Sequence, residues 1–410
     1  MYNEWSVEEA EWRFDEMVEW RRYLHMHPEL SYEETNTSNY IAEKLTSFGI
    51  SIKRNIGGHG IVGIIKSSQG EGNVIALRAD MDALPIQDGK RCEYRSTIPG
   101  VMHACGHDGH TATLLAVARL LQEHRDKWRG EVRLLFQPAE EVSPGGAQAM
   151  IKDGALQGVQ SIYGVHLWTP LPAGEIATRS GPMMAAVDDF FVTIHGKGGH
   201  AGMPHACVDA VVIGAALVQQ LQTIVSRNVS PLESAVVSVG SLQAGTTQNV
   251  IADCAILKGT VRSFDPLIRS LLRNRVESII EHTCAMYDAQ YELEYRIGYP
   301  ALVNDKAEAE RVFRVAASCF GEAAVHTADM MMPAEDFAYY NKVVPGCFIF
   351  VGAGNEQNCR YPHHHPMFDF EERAMLQAGQ LLLAMAVDAL KESRASDSER
   401  NERNAVQFEV

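Results

Sequence analysis

The alternation of short apolar segments with helical segments, up to about Val187, is the feature that most constrains the fold. Val74–Ala79 and Val132–Phe136 have the length and apolar character of buried strands, and Ile61–Ile65 and Ser161–Val165 are similar. Between them, Thr111–His124 places its leucines and alanines on one helical face. Strands that alternate with helices predict an α/β fold with a mostly parallel sheet covered on both faces.

From Val187 the pattern changes, and four strands are predicted with only two helices among them. The predicted elements are Asp188–His195, Cys207–Arg227, Ala235–Leu242, Asp253–Arg262, Pro266–Tyr287 and Gln290–Arg296. Their order, β-α-β-β-α-β, is typical of ferredoxin-like domains. We therefore expect residues 187–298 to form an inserted domain, which is self-contained.

After Pro300 the first pattern returns, with a helix at Ala307–Phe320, a strand at Cys347–Val351 and a helix at Glu371–Leu390. We therefore expect one discontinuous catalytic domain, formed by residues 1–186 and 299–395. The polar and charged residues 396–410 are predicted to be a flexible tail.

Charge and composition exclude several classes of function. The chain has 36 Lys and Arg against 52 Asp and Glu, a formal net charge of −16. This charge argues against nucleic acid and against an anionic membrane surface as partners. No stretch reaches the roughly 18 apolar residues of a membrane span. The acidic N-terminus lacks the pattern of a secretory signal, so we expect a cytoplasmic protein. The eight cysteines form no C-x-x-C pair, and we expect them to be reduced there.

Carboxylates and imidazoles stand at or after the ends of several predicted strands. In a parallel sheet these ends lie at one edge, where ligands bind. The residues are Asp80 and Asp82, Glu140 and Glu141, His166, and the triplet His363, His364 and His365.

The segment Val101–His110, VMHACGHDGH, adds a thiol and further imidazoles just before a predicted helix. Cys105 and His107 are one residue apart, a spacing that suits two ligands of one ion. Thiolate, imidazole and carboxylate together suit a borderline transition metal such as zinc, with manganese, cobalt and nickel as alternatives.

Each pattern also has a simpler structural interpretation. A buried cysteine beside a histidine is commonly a packing residue, and adjacent glutamates are common at helix starts. Asp80 and Asp82 fit a role as orienting or capping residues, and a histidine triplet fits a surface tract that binds metal loosely. Because all of these residues map to one sheet edge, we favour a shared metal centre.

The adjacent pair Glu140 and Glu141 indicates the chemistry of such a centre. Neighbouring residues after a strand point in different directions, so one carboxylate can bind metal while the other stays unbound. A metal lowers the pKa of its bound water to about 7, and a nearby carboxylate can take the proton and pass it to a leaving nitrogen. This is the chemistry of amide hydrolysis, and no G-x-S-x-G motif indicates a serine nucleophile.

Five segments together resemble the metallopeptidase-like amidohydrolases, which include bacterial aminoacylases, hippurate hydrolases and plant indole-acetyl-amino-acid hydrolases. The segments are VMHACGHDGHTA, LLFQPAEE, GVHLW, HGKGGHAGMPH and YPHHHPMFDF, and the resemblance runs from about Leu24 to about Leu390. It implies two divalent transition-metal ions and Glu140 as the general base. It also implies five metal ligands, namely Cys105, His107, Glu141, His166 and His364.

The same resemblance implies that the insert is a lid and dimerisation domain. His200 matches a histidine that reaches the site of a partner subunit and stabilises the oxyanion. Asn249 and Arg262 match positions that hold the substrate carboxylate, which suits the two-pronged donors of arginine. A strand-end surface residue is the simpler interpretation of Arg262, and a plain loop histidine that of His200.

The sequence thus predicts a metal-dependent amidohydrolase that forms a homodimer or higher homo-oligomer. Its substrates are small molecules, N-acyl-L-amino acids, which it cleaves into a carboxylate and a free amino acid. One alternative is a dipeptidase or carboxypeptidase of the same superfamily. A second is a metal-holding binding protein without activity. A two-carboxylate glycosidase is disfavoured, because it needs no thiolate and imidazole cluster.

Overall fold

The computed structural model describes residues 13–357 and 359–391, which form two compact units. The first contains the described residues up to Gly181, Val303–Asp329 and the described residues from Tyr339 onward. The second contains Pro182–Leu302 and Met330–Ala338, so it begins and ends a few residues outside the expected 187–298. It also takes in 330–338, a stretch that the sequence analysis assigned to the catalytic domain. The expected boundary at 395 and the tail 396–410 lie outside the described residues.

Nine α-helices and sixteen strands lie in the described part of the chain. The helices are α1 (Phe14–Met26), α2 (Thr35–Ser47), α3 (His107–Glu123), α4 (Gly146–Lys152), α5 (Ala210–Thr223), α6 (Pro266–Met286), α7 (Lys306–Phe320), α8 (Ala338–Asn341) and α9 (Arg373–Lys391). The strands are β1 (Ser51–Ile56), β2 (Gly60–Lys66), β3 (Val74–Asp80), β4 (Glu131–Gln137), β5 (Ser161–Pro172), β6 (Ile176–Thr178), β7 (Gly181–Met184), β8 (Ala186–His195), β9 (Gly199–His200), β10 (Ala235–Ala244), β11 (Val250–Ile251), β12 (Cys254–Ser263), β13 (Gln290–Ile297), β14 (Leu302–Asn304), β15 (Val325–Thr327) and β16 (Gly346–Gly354).

The first unit is built on an eight-stranded sheet with the order β1-β2-β4-β3-β5-β16-β6-β15. Its four central strands, β4, β3, β5 and β16, run parallel to one another, whereas β1 and β2 pair in the antiparallel sense. All nine residues of β16 are buried, as expected for a central strand covered on both faces. The prediction of a mostly parallel α/β sheet is confirmed.

Helix α3 carries the segment that the sequence analysis singled out for metal binding. It packs against α1 and α9 and contributes Leu114, Val117 and Leu121 to the main hydrophobic core. The helix begins at His107, four residues before the predicted Thr111, and follows Gly106 in a left-handed conformation with φ 93°. Because of this early start, His107 lies in the first helical turn.

The second unit contains a four-stranded antiparallel sheet with the order β10-β12-β8-β13, packed against α5 and α6. The predicted ferredoxin-like order of elements is therefore present. A short additional ladder pairs β9 with β11 and sets His200 opposite Val250.

The stretch Ala210–Asn228 corrects the expectation that no segment has the length and composition of a membrane span. It has 19 residues and a mean hydropathy of 1.2, and by length and composition alone it meets that requirement. In the structure it belongs to the core of the second unit, where Ile213, Leu217 and Leu221 are completely buried. Packing in this unit buries about a third of the stretch, whereas Val211 and Val212 are exposed.

Candidate metal centre

The carboxyl ends of the central strands gather the polar residues that the sequence analysis named. Asp80 ends β3 and pairs with Gln137, three residues before Glu140. His166 lies inside β5 rather than after it, because β5 continues to Pro172 and not to the predicted Val165. Arg78 on β3 pairs with Gly164, so His166 is still level with the end of the neighbouring strand.

The five ligands implied by the resemblance lie in one continuous cluster. Glu141 is central, since its two oxygens lie 3.8 Å from His107 Nε2 and 3.4 Å from His364 Nε2. Cys105 Sγ is 3.5 Å from His166 Nε2. Ligand atoms of Cys105, Glu141 and His364 also lie within 4.8 Å of one another. Segments that are far apart in sequence therefore bring all five side chains together.

The cluster has the features expected of a site for cations. His107 Nε2 and Glu141 Oε1 are buried, and neither has a hydrogen-bond partner in the part of the chain that the structure describes. A cation between them would satisfy both atoms, whose burial without a partner is otherwise unfavourable. The thiol, imidazole and carboxylate donors fit a borderline transition metal.

The electrostatics of the cluster also favour a positive charge. Burial raises the pKa of the Cys105 thiol well above its ordinary value, and the neighbouring carboxylates of Glu141, Glu140 and Asp80 raise it further. Burial lowers the pKa of His107, but Asp80, Asp82 and Glu141 outweigh burial and raise it to about 10. A bound cation would reverse both effects, because it favours a thiolate and a neutral imidazole.

His166 presents a lone pair to the cluster. Its Nδ1–H donates to the carbonyl of Leu167 at 3.0 Å, which leaves Nε2 unprotonated and directed at Cys105. Burial, and next the nearby imidazoles of His110 and His363, hold the pKa of His166 well below its ordinary value. His166 is therefore neutral, the form that binds a metal.

The geometry of the histidine triplet favours His364 as the ligand. His363 Nε2 accepts the N–H of Thr169 at 3.3 Å, so its lone pair is used although the residue lies near Cys105 and His166. The ring of His365 stacks on Tyr361, and among the described residues His365 belongs to no group of possible metal ligands. His364 adopts a left-handed backbone with φ 65° and contacts Glu141.

Asp80 and Asp82 act as orienting residues in the structure. Asp82 Oδ1 and its backbone carbonyl lie 3.2 and 3.0 Å from His107 Nδ1, so Nε2 faces the cluster. Asp80 accepts hydrogen bonds from His110 Nδ1 at 2.6 Å and from Arg78 at 2.7 Å. His110 was not singled out by the sequence analysis, although its position three residues after His107 places both on one helical face.

Glu140 lies next to Glu141 and is buried, and its carboxylate, that of Glu141 and the ring of His107 approach within 4.8 Å. The preceding residue, Ala139, has a left-handed φ of 55° and donates its N–H to Glu34 Oε1 at 2.8 Å. The N–H of Glu141 donates to Asp82 Oδ2 at 3.0 Å. These two bonds fix the turn that presents both glutamates, and Glu34 is a further residue that the sequence analysis did not assign.

The three remaining candidates lie in the second unit. His200 and Asn249 are neighbours, since the N–H of Ala201 donates to the carbonyl of Asn249 at 3.1 Å, and both side chains are exposed. The half-buried Arg262 donates to the carbonyls of Met332 and Val261. Burial lowers the pKa of Arg262, and the nearby carboxylates of Asp189 and Asp188 partly offset this effect.

Comparisons with known proteins identify the family of this chain. Residues 76–388 match the family model described as peptidase family M20/M25/M40. The chain is 47% identical over 290 residues to the N-acyl-L-amino acid amidohydrolase of Geobacillus stearothermophilus, covering 70% of this chain and 78% of the relative. It is 41% identical over 387 residues to the N-acetyl-L-cysteine deacetylase of Bacillus subtilis (strain 168), covering 92% and 89%.

Among solved structures, the chain is similar to the YxeP protein of Bacillus subtilis, described as a dinuclear metal binding peptidase from the M20 family. The two superpose with a TM-score of 0.78 at 35% identity, over 92% of this chain and 98% of that one. The match of the family model over most of the chain establishes the assignment. The chain belongs to peptidase family M20/M25/M40 and is a hydrolase.

Proposed function

We propose that this protein hydrolyses N-acyl-L-amino acids to a carboxylate and a free amino acid. The observation that carries the proposal is the placement of Glu140 beside Glu141, at a cluster whose other members are a thiol and three imidazoles. One glutamate contacts two of the imidazoles, and the carboxylate of its neighbour lies within 4.8 Å of it and of His107, where it can take a proton from water. A protein that only bound metal would not need this second carboxylate.

Cys105, His107, Glu141, His166 and His364 would hold two divalent transition-metal ions, with zinc, manganese, cobalt and nickel as the candidates. When bound, such ions lower the pKa of water towards about 7 and polarise an acyl carbonyl. The orphaned His107 Nε2 and Glu141 Oε1 support this assignment.

The protein's own residues then move the proton and hold the substrate. Glu140 takes a proton from the attacking water and delivers it to the nitrogen of the leaving amino acid. Arg262 and Asn249 hold the substrate carboxylate, and His200 donates a hydrogen bond to the oxyanion. We propose that the insert supplies these groups within a homodimer, in the cytoplasm, where the eight free cysteines would stay reduced.

A substrate panel tests the reaction. Purified protein loaded with manganese, cobalt, nickel or zinc should release amino acids from acetyl- and benzoyl-amino acids faster than from dipeptides. Faster cleavage of dipeptides or of peptide C-termini would instead identify the dipeptidase or carboxypeptidase alternative.

The substitution Glu140→Gln tests the mechanism. It should leave metal content unchanged and reduce kcat by at least 100-fold, as expected for loss of a general base. Full activity in this variant would contradict the proposed role of Glu140. Metal binding without turnover of any amide by the unaltered protein would favour the binding-protein alternative.

A further inference from the structure

Arg21 is a completely buried arginine on α1 that the proposed reaction does not use. Its guanidinium contacts three carboxylates. Nε donates to Asp108 Oδ2 at 3.0 Å, Nη2 to Asp369 Oδ1 at 2.6 Å and Nη1 to Glu372 Oε1 at 3.1 Å. Arg21 thus joins parts of the chain that are more than two hundred and fifty residues apart in sequence.

These carboxylates belong to the two segments that carry metal-ligand candidates. Asp108 directly follows His107 in the first turn of α3. Asp369 and Glu372 lie five and eight residues after His364, in the segment that leads into α9. One rigid, planar group therefore links the His107 segment to the His364 segment.

Neighbouring buried groups reinforce the same link. His25 Nδ1 lies 2.7 Å from Asp108 Oδ2, and His25 Nε2 lies 2.9 Å from Lys90 Nζ and 3.2 Å from Asp88 Oδ2. Lys90 also donates to the carbonyl of Phe368 at 2.9 Å. Lys90 and His25 thus repeat, through a second path, the connection that Arg21 makes directly.

We propose that Arg21 is a positioning residue that sets the separation of His107 and His364 and thereby strengthens metal binding. The inference rests on the proposed function only in taking these two histidines as metal ligands. Outer groups that orient metal ligands typically contribute 10- to 100-fold to metal affinity. The donors of Arg21 are divided between the two segments, and a lysine has no planar fork with which to reproduce them.

The test is the affinity of the metal-free protein for Mn²⁺ and for Zn²⁺, measured by calorimetry in the absence of substrate. Arg21→Lys should weaken the binding of at least one ion by about 10- to 100-fold. Thermal unfolding of the metal-free protein is followed in parallel, so that a loss of stability is measured separately.

Two matched controls separate positioning from general stability. Arg22→Met removes the next arginine of the same helix, which binds the same Glu372 but is 40% exposed and does not contact Asp108. Arg311→Lys alters another buried arginine, which pairs with Glu308 and Asp388. Arg311→Lys should lower the unfolding temperature, and both controls should bind metal as the unaltered protein does.

If Arg21→Lys binds both ions as tightly as the controls, Arg21 is only structural and the inference is wrong. If Arg21→Lys does not fold, Asp369→Asn removes one of its partners from the His364 side, and unchanged metal affinity in that variant would overturn the inference equally. Because no substrate is used, Arg21-dependent metal binding without any hydrolysis would contradict the proposed function alone.

Discussion

At the scale of single residues, the protonation of each side chain in the cluster depends on its buried neighbours. Carboxylates raise the pKa of the imidazole of His107, whereas burial and other imidazoles lower that of His166. Burial also determines the protonation of Glu34, which accepts the N–H of Ala139, the residue before the glutamate pair. Burial is the largest influence on its carboxyl group and raises its pKa from 4.5 to about 7.

Glu34 should support catalysis through a backbone hydrogen bond. Glu34→Leu removes the acceptor of the Ala139 N–H, which should lower the free energy of unfolding by about 1–3 kcal/mol and reduce kcat by displacing Glu140. Glu34→Gln keeps a carbonyl acceptor and should retain most of the activity. Urea unfolding and steady-state kinetics measure both effects, and equal kcat values in the two variants would contradict this role.

The raised pKa of Glu34 also predicts a pH dependence of stability. Because its pKa is higher in the folded protein than in the unfolded chain, Glu34 favours folding below pH 4.5 and loses that contribution as the pH rises through about 7. Between pH 4 and 8 the metal-free protein should lose about 3 kcal/mol relative to Glu34→Gln. Denaturant unfolding at several pH values measures this loss. The prediction would be wrong if the free energies of unfolding of the two proteins changed equally with pH.

At the scale of elements, the start of α3 determines the position of the candidate ligand His107. This helix approaches β5 and the segment before α9 closely at Gly109. A Cβ atom there would lie 2.5 Å from Phe370 Cζ and 2.7 Å from Leu167 Cδ1. The ligand-bearing turn therefore depends on a close helix contact that only glycine permits.

Gly109→Ala should lower the free energy of unfolding by about 1–3 kcal/mol through overpacking, and should weaken metal binding because His107 lies in the same turn. Gly379→Ala is the matched control on α9, where an added Cβ would meet neighbours only at 3.7–3.8 Å. That change should be neutral or stabilising by up to about 1 kcal/mol. Thermal unfolding and metal titration compare the two variants. Equal destabilisation of both would contradict the close contact at Gly109.

At the scale of the whole molecule, the candidate ligands extend in sequence from Cys105 to His364, so a bound metal would join distant segments of the first unit. A ligand that binds only the folded state stabilises it, by about 4 kcal/mol at a thousandfold excess over Kd. The free energy of unfolding of this protein should therefore depend on metal.

Removal of metal with a chelator should lower the unfolding temperature, and added Zn²⁺ or Mn²⁺ should restore it. Substitutions at two adjacent residues provide the control. Glu140→Gln should keep the metal-dependent shift of the unfolding temperature, and Glu141→Gln should lose most of it. Scanning calorimetry with and without metal measures the shift. An equal shift in both variants would mean that Glu141 is not a ligand.

The sequence by itself determined the order and type of the principal strands and helices, because hydrophobic periodicity is a local property of the chain. It also supplied the residue types of the cluster, since Cys105, His107 and the glutamate pair stand in short, recognisable segments. Only the tertiary structure extended β5 past His166 and buried Arg21 among three carboxylates. Those features depend on strand register and on contacts between segments hundreds of residues apart, which no local pattern specifies.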